Sequence, residues 1–160
     1  NYLGSLHQYN EWRDTWNEFF IEKRLKPQLE MAKERKESSP EMVRQFNKLF
    51  SRIDRYFPVE PPSPLHGDMW TGNFTTGVDG EAVIFDPACY FGHREMDIGM
   101  SKLFGGFDKR FYDAYNEVYP MEKGWEERIF IANLYPLMAH ANLFGGGYTL
   151  QVMQYLRKYV

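Results

Sequence analysis

The sequence contains a single cysteine, Cys89, among its 160 residues, so an internal disulfide is impossible. Disulfides are typical of secreted proteins, and a chain without them fits a reducing compartment. We therefore predict a cytoplasmic location. No histidine base is evident beside Cys89, and we assign it no chemistry.

Positive charge and long apolar runs are also scarce. The formal net charge is −3, so we expect neither nucleic acid nor an anionic membrane as a partner. No apolar run approaches the roughly 20 residues that cross a bilayer, and no signal peptide is recognisable. Gly105–Gly106 and Gly145–Gly147 do not fit GxGxxG or GxxxxGK[ST], and no strand carries a VAIK-like lysine. The sequence thus has no recognisable loop for nucleotide phosphates.

What is present predicts one mostly helical domain. Hydrophobic residues make up 43% of the chain, enough for a sizeable core. Apolar residues recur at helical spacing in six segments. These segments are Trp12–Leu25, Met42–Ile53, Ile98–Phe104, Phe111–Val118, Glu126–Asn142 and Leu150–Tyr159. We expect Pro27 to end or kink the first, Pro136 to bend the fifth, and Ser39 to cap the second.

The aromatic residues of the first segment are predicted to form part of the core. They are Trp12, Trp16, Phe19 and Phe20. The PVEPPSP stretch at residues 58–64 is predicted to be a stiff extended connection. The fold class is therefore α+β and mostly α, with one central β-hairpin.

The hairpin is predicted from Asp79-Gly80, a strong signal for a two-residue turn. With this turn Val78 would pair with Glu81, and Asn73 would lie opposite Asp86. Opposed residues have Cβ atoms about 4.5–5.5 Å apart, so an amide oxygen and a carboxylate would lie side by side. Two such oxygen ligands suit Mg²⁺.

The stretch LHGDMWTGN at residues 65–73 contains the chemistry. His66, Asp68 and Asn73 match the protein-kinase pattern H-x-D-x-x-x-x-N, and Asp86 stands where that pattern has a second metal-binding aspartate. In kinases the first aspartate accepts the proton of the substrate hydroxyl, whereas the asparagine and the later aspartate hold metal. The alternative is that these residues only form turns. His66 is more typical of a structural loop residue than of a proton carrier.

Longer strings add a family resemblance. LHGDMWTGN, VIFDPACYFGHREMDIGMSKLFGGF, NEWRDTWNEFFIEKRLKPQL and HANLFGGGY together resemble the fructosamine kinase (ketosamine-3-kinase) family, within the group related to aminoglycoside phosphotransferases and choline kinases. The resemblance covers essentially all 160 residues. It implies a protein-kinase-like fold that uses ATP and Mg²⁺ to phosphorylate the 3-hydroxyl of a ketosamine on a glycated amine or protein lysine.

The resemblance also implies a role for each residue of the motif. Asp68 is the expected catalytic base, and Asn73 and Asp86 are expected to hold Mg²⁺ and through it the nucleotide. Asp97 resembles a buried aspartate that braces the catalytic loop. Residues 1–160 correspond to the C-terminal catalytic lobe, and the N-terminal nucleotide-binding lobe of the family is absent.

Several other residues have two interpretations each. Trp70 could line the substrate site or pack the loop onto a helix. His93, Arg94 and Glu95 could reach the substrate or form a solvated turn. His140 and Asn142 could face a sugar pocket or cap a helix.

Competing functions remain open at this point. One is the lobe of a choline or aminoglycoside kinase, and another is a non-catalytic binding domain derived from a kinase. We expect the chain alone to lack kinase activity. We also expect its apolar interface with the missing lobe to be exposed and to favour self-association.

Overall fold

The computed structural model describes all 160 residues. Eight α-helices account for most of the ordered backbone, and six short strands form three separate antiparallel pairs. The helices are α1 (Trp16–Phe19), α2 (Lys26–Glu34), α3 (Pro40–Phe50), α4 (Glu95–Leu103), α5 (Lys109–Val118), α6 (Trp125–Ala132), α7 (Leu134–Phe144) and α8 (Gly147–Leu156). The strands are β1 (Tyr2–Leu3), β2 (Leu6–His7), β3 (Ser63–Leu65), β4 (Phe74–Thr76), β5 (Ala82–Ile84) and β6 (Tyr90–Gly92).

The predicted α+β, mostly helical class is confirmed. The central hairpin is the pair β4–β5, whereas the pairs β1–β2 and β3–β6 are additional. Strands of two or three residues are too short to show the alternation of apolar and polar residues that identifies a strand in sequence. None of the helices combines the length and hydropathy that crossing a membrane would need.

The first helical segment does not end at Pro27. Helix α1 continues as a π-helix over Phe20–Leu25 and then as α2 to Glu34. Proline has no N–H to donate to the preceding turn. The Lys23 carbonyl, four residues earlier, instead accepts a hydrogen bond from the buried Arg24 guanidinium at 2.9 Å. The helix therefore continues past Pro27 through the wider turn of the π-helix.

The predicted cap of α3 is confirmed. The Ser39 hydroxyl accepts a hydrogen bond from the Met42 N–H at 3.1 Å, and Pro40 occupies the first helical turn. The first backbone N–H groups of a helix have no partner within the helix. The Ser39 hydroxyl pairs one of them, and Pro40 has no N–H to pair.

The predicted helix over Glu126–Asn142 is two helices, α6 and α7, which meet at Asn133. The break lies three residues before Pro136, as expected for a residue that disfavours helix on its N-terminal side. Helix α7 runs through the centre of the molecule, where Leu134, Leu137 and Met138 are completely buried or nearly so.

One part of the predicted core is wrong. Phe19 and Phe20 are buried and Trp16 packs against them, but Trp12 is 70% exposed. The helix begins at Trp16 after a capping box formed by Thr15 and Glu18, so Trp12 precedes it. Helical spacing therefore says nothing about the direction of the Trp12 side chain.

The predicted register of the hairpin is wrong by one residue. Phe74 pairs with Ile84 and Thr76 with Ala82, so Asn73 lies opposite Phe85 instead of Asp86. The loop has three residues, 78–80, closed by a hydrogen bond from Gly77 N–H to Glu81 C=O at 2.9 Å. Gly80 adopts φ +82°, the left-handed conformation that the last position of such a loop requires.

Candidate active site

The loop of residues 66–73, here called the HGD loop, leaves strand β3 and is fixed by helix α4. The two carboxylate oxygens of Asp97 accept hydrogen bonds from the backbone N–H groups of His66 and Gly67, at 2.7 and 2.8 Å. A Cβ added at Gly67 would lie 2.1 Å from the Ala88 carbonyl oxygen, so only glycine fits. This is the bracing geometry that the resemblance implies for Asp97.

His66 is held in one orientation by two hydrogen bonds. Its Nε2 lies 3.0 Å from the Phe85 carbonyl oxygen, and its Nδ1 lies 3.3 Å from the Asp68 N–H. A carbonyl can only accept and an N–H can only donate, so the ring is the neutral tautomer with its proton on Nε2. His66 therefore ties the HGD loop to the end of β5, in keeping with a structural role.

Asp68 and Asn73 form the centre of the site. The Asn73 side-chain amide donates to the Asp68 carboxylate at 3.0 Å and to the Asp68 carbonyl at 2.9 Å. Asn73 is only 5% exposed, whereas Asp68 is half-buried and open on one side. Because the Asn73 Nδ2 group makes these contacts, its Oδ1 atom is left without a donor from the chain.

Asp86 lies beside this pair despite the changed register. Its backbone carbonyl is 3.5 Å from Asn73 Nδ2, and its φ of +54° turns the chain sharply at the end of the hairpin. The Asp86 side chain is exposed and has no salt bridge. Asn73 and Asp86 thus each keep a side-chain oxygen free.

These free oxygens fit Mg²⁺. The chain has no cluster of three His, Cys, Asp or Glu side chains that would enclose a metal. Mg²⁺ retains waters and binds one or two protein oxygens together with substrate phosphates, so it does not need such a cluster. The accumulation of negative charge at Asp68 and Asp86 also favours a cation at this point.

Burial raises the pKa of both Asp68 and Asp97, and different hydrogen-bond donors oppose the rise in each. Burial raises the pKa of Asp68, and the hydrogen bond from Asn73 opposes the rise. Burial also raises the pKa of Asp97, opposed by the two backbone N–H donors that stabilise its carboxylate. A base with a raised pKa accepts a proton more readily, which suits Asp68 to general-base catalysis.

An aromatic row leads away from the HGD loop. It consists of Trp70, Phe104, His140 and Tyr148, whose successive ring centroids are 5.8, 5.0 and 5.2 Å apart. A Cβ added at Gly72 would lie 2.3 Å from the Trp70 ring, so that ring packs on the loop itself. Each member of the row is only partly buried. Trp70 therefore packs against Phe104 and also presents an apolar surface beside Asp68.

The three charged residues His93, Arg94 and Glu95 belong to buried ion pairs. They do not form a solvated turn, because all three are buried. Arg94 binds Glu60 at 3.0 Å, and Arg128 binds Glu95 at 2.6 Å. Each carboxylate is therefore paired with its own guanidinium, as in a structural ion pair, and contact of His93 and Glu95 with substrate stays a prediction.

The two candidates on α7 have different environments. Asn142 is buried and donates hydrogen bonds to the Gln28 carbonyl and side chain at 2.9 and 2.8 Å. It joins α7 to α2, so neither the sugar-pocket nor the capping interpretation holds. His140 instead belongs to the aromatic row.

Sequence patterns missed several participants in these networks. Glu60 lies in the proline-rich connection, and Arg128 lies 33 residues after its partner Glu95. Only packing between distant elements brings such charges together. Phe104 and Tyr148 are members of the aromatic row, but helical spacing gave no signal that they lie in one row with Trp70.

The fold and the Asp68–Asn73–Asp86 arrangement define a domain of the kinase-like class. The comparisons with known proteins specify the family. The fructosamine kinase family model matches residues 1–160, and the chain belongs to that family.

Two relatives illustrate the similarity. The chain is 42% identical over 163 residues to a "Probable ketoamine kinase" of Enterococcus faecium, covering 99% of this chain and 58% of that protein. It is 39% identical over 166 residues to the chloroplastic protein-ribulosamine 3-kinase of Arabidopsis thaliana, covering 100% of this chain and 49% of that protein.

Solved structures agree. A candidate fructosamine-3-kinase from Thermobifida fusca superimposes with a TM-score of 0.92 at 41% identity, over 98% of this chain and 55% of that one. A candidate fructosamine-3-kinase from Haemophilus somnus gives a TM-score of 0.84 at 32% identity, over 99% of this chain and 54% of that one. The chain thus spans about half the length of the relatives it matches.

Proposed function

We propose that this chain is the acceptor-binding, catalytic lobe of an ATP-dependent ketosamine kinase, which phosphorylates the 3-hydroxyl of fructosamines on glycated amines or protein lysines. The observation that carries the proposal is the Asp68 carboxylate, held 3.0 Å from the Asn73 amide in a loop with the kinase spacing. The names of the relatives, ketoamine kinase and protein-ribulosamine 3-kinase, support the acceptor class.

Each polar residue of the site has a role in this proposal. Asp68 orients the acceptor hydroxyl and takes its proton, while the HGD loop is held rigid by Asp97 and His66. Asn73 Oδ1 and the Asp86 carboxylate would hold Mg²⁺. When bound, this ion supplies charge neutralisation for the phosphates of ATP. Trp70 forms an apolar wall beside the acceptor.

We further propose that the nucleotide-binding lobe lies in the part of the relatives that this chain does not match. Phosphoryl transfer depends mainly on holding the phosphates in line and neutralising their charge. These 160 residues contain no glycine-rich phosphate loop, so residues 1–160 alone should have no measurable kinase activity. A location in the cytosol remains part of the proposal, on the basis of the single cysteine.

The test restores the missing part from a relative. A chimaera would carry residues 1–160 in place of the matching half of the Thermobifida fusca protein, whose backbone superimposes closely. Radiolabelled phosphate transfer would be measured with a fructosyl-amine, choline and an aminoglycoside as acceptors, and with the 160-residue chain alone as a control.

We expect product from the chimaera with the fructosyl-amine and none from the chain alone. A preference for choline or the aminoglycoside would show that the acceptor belongs to that class and that the fructosamine class we propose is wrong. A chimaera that binds ATP but phosphorylates none of the three would support a binding domain instead. Activity of the chain alone would refute the requirement for a second lobe.

A further inference from the structure

A cavity of about 260 Å³ lies beside the start of helix α1. Its lining comes from three stretches of the chain, within residues 12–19, 57–62 and 91–93. No residue of the HGD loop lines it, and neither does Asp86. The cavity is therefore separate from the candidate active site and has no part in the function proposed above.

Part of the cavity wall is aromatic. The rings of Trp16, Phe57 and His93 pack together, with centroids 5.2–6.0 Å apart. Trp12 and Phe91 form a second pair at 5.8 Å, and their exposed fractions of 70% and 53% place this pair where the cavity meets solvent. A cavity of about 150 Å³ in another protein already holds benzene. This cavity therefore has room for a molecule built on one aromatic ring.

Unpaired polar atoms are concentrated in this lining. Eight buried side-chain nitrogen or oxygen atoms of the chain have no hydrogen-bond partner, and three belong to lining residues: Trp16 Nε1, Asn17 Oδ1 and His93 Nε2. Burying a polar group without a partner costs free energy, so native structures contain few such groups. Aromatic walls with a few polar groups are the usual form of a small-molecule site.

The neighbouring contacts decide what each unpaired atom can do. An indole Nε1 group can only donate. The Asn17 Nδ2 group donates to the Asp54 carboxylate at 2.9 Å, so Asn17 Oδ1 is left as an acceptor. Trp16 thus offers one donor, and Asn17 offers one acceptor.

His93 offers a second donor. Its Nδ1 lies 3.3 Å from the Glu95 N–H, which can only donate, so in the neutral ring the proton is on Nε2. The ring is neutral at pH 7, because burial lowers the pKa of His93 to about 4. The Glu60 carboxylate, 3.7 Å from Nε2, and the Pro58 carbonyl lie near this ring, but neither forms a hydrogen bond with Nε2. His93 is only 3% exposed, so solvent does not compensate for the missing partner.

We propose that this cavity binds a small neutral aromatic amide. Its ring would pack against the aromatic wall, its carbonyl oxygen would accept from Trp16 Nε1 and His93 Nε2, and its NH₂ group would donate to Asn17 Oδ1. A carbonyl oxygen has two lone pairs, so one oxygen can serve both donors. Such a ligand would pair all three unpaired atoms of the lining, whereas a hydrocarbon of the same shape would pair none.

The charges around the cavity favour a neutral ligand. Arg13 and Glu60 line it, but each has a partner of opposite charge, Glu22 and Arg94 respectively. Asp14 also lines the cavity and has no salt bridge, so it would repel an anion. Two unpaired N–H donors equally disfavour a cation.

The test compares ligands that differ in single groups. Binding of benzamide, acetophenone, ethylbenzene and benzoate to the 160-residue chain would be measured by ligand-detected NMR titration. Acetophenone keeps the carbonyl but has no N–H, ethylbenzene lacks both, and benzoate is charged. The proteins would be the natural sequence, Trp16→Phe, and Trp125→Phe as the same replacement at a partly buried tryptophan outside the cavity.

We expect benzamide to bind the natural sequence about 3- to 10-fold more tightly than acetophenone, the range for one hydrogen bond, and benzoate to bind more weakly than either. Trp16→Phe should weaken benzamide and acetophenone by a similar factor and leave ethylbenzene nearly unchanged, because only the carbonyl loses a donor. Trp125→Phe should behave like the natural sequence. Equal affinity for benzamide and ethylbenzene would overturn the inference in favour of an apolar ligand, and no binding of benzamide would overturn it in favour of water alone.

A second measurement does not depend on a variant folding. In the natural sequence, the indole ¹⁵N–¹H resonance of Trp16 should shift when benzamide is added, while that of Trp125 stays in place. An unchanged Trp16 resonance would overturn the inference, and a shift at Trp70 alone would move the binding site to the HGD loop and overturn it equally. None of these outcomes depends on phosphoryl transfer, so the proposed function is tested separately.

Discussion

At Asp68, the buried charge that suits the proposed catalytic role also lowers the stability of the folded chain. Its carboxylate is half-buried next to Asp86, and burial raises its pKa. A carboxyl group whose pKa is raised on folding binds protons more tightly in the native state, so the folded protein loses stability as pH rises above the ordinary pKa. The catalytic base that we propose is therefore retained at a cost to the stability of the fold.

This cost predicts that Asp68→Asn stabilises the chain at neutral pH. Asparagine removes the buried charge and keeps an oxygen that can accept from Asn73. We expect a higher unfolding midpoint, by less than about 1 kcal/mol in unfolding free energy because solvent screens a half-buried group. Urea unfolding at pH 7 and at pH 3.5 measures the effect. A stability gain that persisted unchanged at pH 3.5 would not come from the charge.

His93 provides a second prediction, with the opposite dependence on pH. Burial lowers the pKa of His93 from 6.5 to about 4, with Glu60 opposing the shift. The unfolded state therefore binds a proton that the native state excludes between these values, and stability falls as pH drops from about 6.5 to 4, at up to about 1.4 kcal/mol per pH unit.

The measurement compares His93→Gln with the natural sequence across this range. The difference in unfolding free energy should depend on pH, and His7→Gln, at an exposed position, serves as the control for replacing a histidine. A comparison with the natural sequence is needed because Glu95 and Asp97 also make stability depend on pH. Burial raises the pKa of both carboxyl groups, so their contribution makes the unfolding free energy fall as pH rises. Parallel stability curves for His93→Gln and the natural sequence would contradict the account.

At the scale of single residues, the sequence predicted which residues of the motif lie together, but it did not predict the contacts of the residues that follow the motif. The spacing of Asp68 and Asn73 was informative because both lie on one short loop and contact each other directly. The surroundings of His93 and Glu95 could not be predicted because their charged partners, Glu60 and Arg128, each lie 33 residues away in sequence. A charged residue next to a motif cannot be distinguished from a buried ion pair until its partner is known.

Among the elements, helices α4 and α6 are joined by a buried ion pair. Glu95 is completely buried and its carboxylate accepts three hydrogen bonds from the Arg128 guanidinium at 2.6–3.0 Å. The same helix α4 carries Asp97, which fixes the HGD loop. The position of the HGD loop therefore depends on how α4 packs against α6.

We predict that Arg128→Met destabilises the chain by about 3–5 kcal/mol, because it leaves the Glu95 carboxylate buried without a partner. The double variant Glu95→Gln/Arg128→Met should recover part of the loss. Chemical unfolding measures both effects, with Arg110→Met as an exposed control whose salt bridge to Asp108 lies at the surface. A loss from Arg128→Met no larger than the control's would show that the ion pair does not fix α4.

The hairpin shows why element boundaries were harder to predict than element identity. Asp79-Gly80 correctly indicated a turn, but the same dipeptide fits a two-residue loop and the end of a three-residue loop. The left-handed Gly80 closes the three-residue form, which moves the pairing by one position. Asn73 and Asp86 remain neighbours only because the backbone turns sharply at Asp86.

At the scale of the whole molecule, the hairpin and the residue that follows it expose several apolar side chains. Phe74, Ile84 and Phe85 are 37%, 52% and 45% exposed. The strands β4 and β5 lie between Asn73 and Asp86 in the sequence, so these side chains adjoin the proposed nucleotide side of the site. Clustered exposed apolar residues favour association.

We therefore predict that the 160-residue chain self-associates with increasing concentration. Sedimentation velocity should show a rising average mass for the natural sequence and less change for Ile84→Thr, which keeps a β-branched residue in the strand. Tyr2→Thr, at an exposed apolar position in another strand, serves as the control. Identical association of all three proteins would place the contact elsewhere.

The most direct test of the account is Asp68→Asn in the active chimaera with the Thermobifida fusca half. If Asp68 is the general base, kcat for the fructosyl-amine should fall by about 10²–10⁴-fold, while affinity for ATP stays nearly unchanged because other groups hold the phosphates. Turnover close to that of the unsubstituted chimaera would contradict the assignment of the HGD loop as the catalytic centre.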